Sequence, residues 1–290
     1  MASKPSPSTP VSASSFVGQG QDTDLPTIRF KNTRDLFDVI YSTPGDSLAV
    51  THVSPAHFAT IERVRDKQRR KFRFRRYDSD CQTLFIAIPT HLHEALHAQI
   101  YQSYYVKLVR SGRGDRSWVS TGAATCRAQG HPGGDAAEGD CTGRPRSRHD
   151  ARSPWPTLLV EAGETESLAR LRNYMIWWFS ASDHDVKIVL LAKLDHTRRT
   201  ITLEKWEEEP GSTRPGATTT RAAAALHPVL RQSITITQDT TTDPTSYHVT
   251  SELVLGFSLL FLRDPGPGEG DVVLSIQDLE WYAECVWKAL

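Results

Sequence analysis

Nothing in this sequence is apolar for long enough to span a membrane. A spanning helix needs ~18 or more consecutive apolar residues. The most apolar segment, Val249 to Leu262, is broken by Ser251, Glu252 and Ser258. No membrane partner is therefore expected. The N-terminal MASKPSPSTPVSASS lacks the apolar stretch of a secretory signal,. Cysteine is sparse: Cys81, Cys126, Cys141 and Cys285 are scattered with no CxxC pair. That usage suits reduced thiols in an intracellular protein, cytoplasmic or nuclear. Cys126, His131, Cys141 and His149 match no standard zinc-finger spacing,. Net charge is absent too, with 34 Lys plus Arg against 34 Asp plus Glu, so only local clustering of charge carries information,. Walker, GxGxxG and GxSxG motifs are missing, which removes the commonest nucleotide-binding and serine-hydrolase signatures. Nor is there an internal repeat.

What is present is enough apolar and aromatic content, with seven Trp, for a sizeable core. Residues 1 to about 25 are Ser, Pro, Thr and Gly and read as a disordered tail,. Asn32 to Ile40 and Pro55 to about Asp66 read as helices,. Lys71 to Arg75 alternates strictly, which predicts a strand with Phe72 and Phe74 inward and its cations outward,. Thr83 to Ile88 is a further strand, ended by Pro89, and Thr90 caps a helix to about Arg110,. Gly112 to Pro154 reads as a long loop with strand-like pieces near Trp118 and near Ala136 to Cys141,.

Then come a strand over Leu158 to Val160, a helix striped by Leu168, Leu171, Met175 and Trp178, and strands over Val186 to Leu194 and Thr200 to Trp206. Pro210 to about Ala225 is a low-complexity loop. Ser233 to Thr237 and Leu253 to Leu262 read as strands, and Ser275-Ile276-Gln277-Asp278 as the capping box of a last helix burying Leu279, Tyr282, Val286 and Leu290,. Strands mixed with helices predict an α/β (α+β) fold, a central mixed sheet flanked by helices.

Carboxylates are the first candidate chemistry. Glu161 closes the apolar run Leu158-Leu159-Val160, and Asp140 sits in the turn Glu138-Gly139-Asp140. At neighbouring strand ends, two such oxygen donors suit Mg²⁺, and the ion would generate a hydroxide nucleophile for phosphodiester hydrolysis. Glu94, in His91-Leu92-His93-Glu94-Ala95-Leu96-His97, is a third. The plainer alternatives are that Glu161 caps the helix beginning near Thr165, that Asp140 holds a turn, and that Glu94 is a solvated helix residue pairing with His97 or Lys107. His93 and His97, one helical turn apart, have a spacing that can chelate zinc, or are simply an exposed or partly buried helical pair.

The order of these parts resembles the PD-(D/E)xK, restriction-endonuclease-like superfamily, and more narrowly a group of uncharacterised fungal proteins assigned to that fold. The matching text is Ile88-Pro89-Thr90 with His93-Glu94-Ala95, Glu138-Gly139-Asp140, Trp155 to Gly163 with Glu166-Ser167, Trp177-Trp178, Val186 to Val189, Glu204-Lys205-Trp206, Asp278-Leu279 and Val286-Trp287. It covers roughly residues 30 to 290, one domain from about residue 26. The resemblance implies Asp140 and Glu161 as ligands of Mg²⁺ (or Mn²⁺), Glu94 as a supporting carboxylate, and a nuclease acting on DNA or RNA. The motif's lysine slot, however, holds Gly163. A cation from elsewhere would have to replace it: Arg170 or Arg172 on the next helix, or Lys187 or Lys193 on the next strand. The alternative is a catalytically inactive module of that fold binding nucleic acid or protein.

Nine cations lie between Arg63 and Arg76, against Asp66 alone. Arg69, Arg70, Lys71, Arg73 and Arg75, interleaved with Phe72 and Phe74, are candidates to track a phosphate backbone, or else form a solvated edge-strand face. Arg144, Arg146, Arg148 and Arg152 form a second basic cluster. Oligomeric state is left open.

Overall fold

The structure is a computed structural model, describing residues 11–12, 25–112, 114–128, 134–148, 155–211 and 226–289. In chain order its elements are β1 (Val11–Ser12), β2 (Thr27–Arg29), α1 (Thr33–Ser42), β3 (Ser47–Thr51), α2 (Pro55–Lys67), β4 (Arg73–Asp78) and β5 (Thr83–Ala87). There follow α3 (His91–Arg110), α4 (Gly114–Ser117), β6 (Trp118–Ser120), β7 (Cys126–Arg127), β8 (Ala136–Ala137), β9 (Cys141–Pro145), β10 (Leu158–Gly163), α5 (Leu168–Ala181) and β11 (Ile188–Asp195). The chain continues with β12 (Thr200–Pro210), β13 (Leu226–Asp239), β14 (Ser246–Val249), β15 (Leu253–Leu255), α6 (Phe257–Phe261), β16 (Val272–Leu274) and α7 (Ile276–Trp287).

Local chemistry sets most of the helix starts. Asn32, Thr90 and Ser167 each accept from a backbone N–H in the first turn of α1, α3 and α5,. Ser54 and Ser275 build capping boxes on α2 and α7, as expected for the latter,.

The fold is α+β with a large mixed sheet. Eight strands form it, in the order β1-β13-β12-β11-β10-β9-β6 with β14 beside β13. β10 pairs parallel with β11 and antiparallel with β9, which pairs antiparallel with β6. One face packs on α3, α6 and α7 through residues such as Leu96, Tyr104, Val160, Ile188 and Tyr282. The opposite face carries α5 and a knot of Trp155, Trp177, Trp178 and Trp206. A six-stranded sheet, β2-β3-β5-β4-β8-β7, holds α1 and α2 against one face through Leu36, Phe58, Phe74 and Tyr77. Its other face meets the large sheet's layer, where Phe85 contacts Tyr174 with ring centroids 5.8 Å apart.

Several boundaries differ from expectation. β4 starts at Arg73 rather than Lys71, and its pairing with β5 shifts register between Phe74 and Arg76, so Arg75 is the extra residue of a bulge,. Leu253 to Leu262 is a short strand and then a helix, α6, with Gly256 as its N-cap. β12 runs on to Pro210, and β13 is longer at both ends than Ser233 to Thr237 because the two strands pair along their whole length. Within the expected tail, Val11 and Ser12 pair with Leu230 and Val229 on the free edge of β13. The rest of that tail to residue 24, most of the 210–225 loop, His131, His149, Arg152 and Leu290 lie outside the described residues.

The bend at Glu138-Gly139-Asp140 needs glycine for closeness. A Cβ on Gly139 would stand 2.3 Å from Leu159 Cδ1 and 2.7 Å from Thr142 Cγ2. Gly139→Ala is expected to cost roughly 1–3 kcal/mol by urea denaturation. Gly270→Ala, where a Cβ meets nothing within 4 Å, should stay within about 0.5 kcal/mol of wild type.

Candidate functional site

The carboxylates singled out in the sequence do converge, on a guanidinium. Arg75, 1% exposed, projects from the β4 bulge between the two sheets. Its Nη1 donates to Glu161 Oε2 at 2.5 Å and to Asp140 Oδ2 at 3.3 Å, and its Nη2 donates to the Ala162 carbonyl at 2.9 Å. Nε lies 3.1 Å from Glu166 Oε2. Glu161 Oε1 accepts from Trp178 Nε1 at 2.8 Å, and Asp140 Oδ2 also accepts from the Ala162 N–H at 2.9 Å. Glu161 thus caps no helix: α5 begins at Leu168 and its cap is Ser167.

A second arginine laces the outer end. Arg73 reaches Glu94 Oε1 at 2.8 Å through Nη2, and through Nη1 it reaches Asp140 Oδ1 at 3.3 Å and His97 Nε2 at 3.4 Å. His93 lies between carboxylates, with Nδ1 2.9 Å from Asp46 Oδ2 and Nε2 3.1 Å from Asp140 Oδ1. Asp46 also accepts from the Glu164 and Thr165 N–H groups. Behind His97, Nδ1 is 3.1 Å from Cys141 Sγ. The expectation of an exposed or partly buried histidine pair is corrected, for His93 is 0% and His97 2% exposed. Moreover, His93-Glu94-Ala95-Leu96-His97 has the HExxH spacing,. The expectation that the segment lacks this motif because position 98 is alanine is corrected too, since the second histidine of the motif is His97.

Burial and charge set the titration of these groups. Burial opposes the ionised form of Asp140, but Arg75 and His93 hold its pKa well below the usual carboxylate range. Glu161 goes the other way: burial and the Asp140 charge push it to about 8 against the pull of Arg75. Burial likewise raises Glu166. His93 is desolvated, yet the charge of Asp140 and hydrogen bonds to Asp140 and Asp46 raise it to about 9. Glu94, half-buried, is lowered to about 2 by His97 and Arg73.

The fit to Mg²⁺ at Asp140 and Glu161 is poor. Each of the four carboxylate oxygens already accepts from an N–H donor, and a fully buried Arg75 has no other place to go. A hard cation needs several free oxygens and usually retains water. At the missing lysine's position a Cβ on Gly163 would stand 3.1 Å from Leu171 Cδ1, a tight contact to which that side chain would have to yield. None of the four proposed replacements projects into the cluster unengaged. Arg172 is taken by Glu204, at 3.0 and 2.5 Å. Lys187 donates to the His184 carbonyl, and Arg170 has partners of its own. Lys193 stands beside Gly163 in the β10–β11 register, but its Nζ donates to the Glu164 and Leu194 carbonyls.

The basic segment therefore divides. Arg75 points inward rather than outward, because the second face of its sheet is covered, and Arg73 is only 16% exposed at its side chain. Arg65 is buried in a bidentate pair with Glu138 at 2.7 and 2.8 Å. Arg69, Arg70 and Lys71 instead line a groove of about 920 Å³ with Tyr41 and Phe72. Lys71, Pro89 and Thr90 continue it into a hollow of about 620 Å³ that ends at Arg73 and Glu94. In the other basic cluster, Arg148 is held by Asp185 at 2.9 Å.

Comparison with protein-family models, with curated proteins and with solved structures finds no match.

Removing one partner of a buried ionic cluster leaves uncompensated charge. Arg75→Met is expected to lower stability by roughly 3–5 kcal/mol, and adding Asp140→Asn and Glu161→Gln should restore part of it, as read by urea denaturation. A triple variant no better than Arg75→Met would show that charge is not the cause. Glu161 also makes a pH prediction. Its folded pKa of about 8 exceeds the reference 4.5, so its contribution is complete below pH 4.5 and lost as pH rises through 8. Melting temperature should fall over that interval, and Glu161→Gln should make the fall shallower.

Proposed function

We propose that this chain is a non-catalytic nucleic-acid-binding module built on a restriction-endonuclease-like core. The observation that carries the non-catalytic part is Arg75, whose guanidinium fills the space between Asp140 and Glu161. The order α3-β6-β9-β10-α5-β11, with an antiparallel β6-β9-β10 meander and β11 parallel to β10, supports the scaffold reading. Binding is assigned to the groove. Arg69 and Lys71 are exposed and have no ion-pair partner among the described residues, and no carboxylate lines that groove. Arg69 takes its φ of 51° where α2 ends: its N–H donates to the Asp66 carbonyl and the Arg70 N–H to the Arg65 carbonyl, the left-handed turn that closes a helix,.

The second reading is a Mg²⁺- or Mn²⁺-dependent nuclease. The observation favouring it is that Asp140 and Glu161 share one partner at adjacent strand ends, with Lys193 beside the lysine slot.

One pair of measurements separates the two. Plasmid and oligonucleotide DNA and RNA, incubated with Mg²⁺ or Mn²⁺, should remain intact, while fluorescence anisotropy shows binding that weakens with salt. Three groove cations predict a slope of log affinity against log salt of roughly −2 to −3. Lys71→Glu should flatten the slope. Arg69→Gly should weaken binding and leave the melting temperature unchanged or higher, because glycine relieves the left-handed strain. Metal-dependent cleavage abolished by Asp140→Ala and by Glu161→Ala would establish the nuclease instead. Unchanged mobility with every nucleic acid would reject both readings.

A further inference from the structure

We infer that His93, Glu94 and His97 form a three-ligand site for a zinc-type transition-metal ion beside the 620 Å³ hollow. This inference is independent of nucleic-acid binding. His93 and His97 lie on one face of α3, with Glu94 between them, and one ligand atom from each of the three lies within 4.8 Å of the others. Asp140, in the bend before β9, borders this cluster, its Oδ1 3.1 Å from His93 Nε2. Glu94 Oε1 is 3.4 Å from His97 Nε2. Tetrahedral zinc with Zn–N and Zn–O bonds of about 2.0–2.2 Å requires ligand-to-ligand edges of roughly 3.3–3.5 Å. The Glu94–His97 separation matches such an edge.

The surroundings fit as well. A metal-bound histidine presents one ring nitrogen to the ion and has the other oriented from behind, commonly by a carboxylate. His93 Nδ1 faces Asp46, itself held by the Glu164 and Thr165 N–H groups, and His97 Nδ1 faces Cys141 Sγ. Both Nε2 atoms then face the shared centre. The donor set, two imidazoles and one carboxylate, suits zinc rather than Mg²⁺,. Three protein ligands leave the fourth tetrahedral position to water.

Arg73 stands at this centre, reaching Asp140, His97 and Glu94. Unlike Arg75, it lines the open hollow. It can leave by swinging into that space, while Arg75 is enclosed on every side. Metal and Arg73 are therefore alternative cations for one set of ligands.

The test uses the full chain produced with zinc in the medium. Elemental analysis should find about one zinc per chain, and Co²⁺ substitution should give the strong visible absorption of tetrahedral coordination. Zinc should raise the melting temperature, and a chelator should lower it. Glu94→Gln, at a half-exposed position that does not threaten folding, should weaken zinc at least tenfold, and so should His97→Ala. Arg73→Met, which removes the competing cation, should bind zinc as tightly as wild type or tighter. Zinc held equally by wild type and Glu94→Gln would be adventitious and would overturn the site. So would a melting temperature indifferent to zinc, or a loss of zinc in Arg73→Met.

Discussion

A guanidinium buried between sheets is tolerable only if its charge is matched on the spot, and everything around Arg75 meets that requirement. Asp140, Glu161 and Glu166 come from three different places in the chain, and the Ala162 carbonyl completes the set. Desolvating any one of these ions alone would cost several kcal/mol, so they are stable only as a group. The consequence is architectural. Arg75 belongs to the six-stranded sheet, Glu161 to the eight-stranded one, Asp140 to the bend that joins the two sheets before β9, and Glu166 to the turn after β10. Neither sheet satisfies its own buried charge without the other.

The same logic runs outward along β4. Arg73 joins Asp140 to Glu94 and His97, and Arg65 pairs with Glu138 just before the Gly139 bend. Three cations of the basic segment, Arg65, Arg73 and Arg75, thus face five carboxylates, Glu94, Glu138, Asp140, Glu161 and Glu166. Arg69, Arg70 and Lys71 fall where α2 has ended and β4 has not yet begun. There the chain is at the surface, and none of the three has an ion-pair partner among the described residues.

Much of this was legible beforehand, and the reasons are local. Capping residues, alternation and apolar stripes depend on neighbours within about one turn, so α3, α5, α7, β5 and β11 were placed close to their observed positions. Asp140 and Glu161 were paired because each ends or precedes a strand, and they are indeed neighbours. The errors arose where two distant segments had to be combined. Arg75 was read as outward because alternation assigns a face without saying whether that face is covered. Arg172 was offered to Glu161 on the basis of chain proximity, yet Glu204 on β12 claims it. One local signal was misread as well: the His93–His97 spacing was noted as able to chelate zinc, but the HExxH motif it belongs to was taken to be absent.

The amino-acid sequence by itself determined the inventory: mixed strands and helices, two acidic positions at strand ends, a dense run of cations, and a histidine pair one turn apart on a helix. Each follows from short-range periodicity and residue chemistry. Only the tertiary structure decided which charge meets which. The β4 bulge and the covering of the second sheet face are produced by packing between elements far apart in the chain. A side chain's partner, unlike its helix or strand, is a property of the whole folded interior.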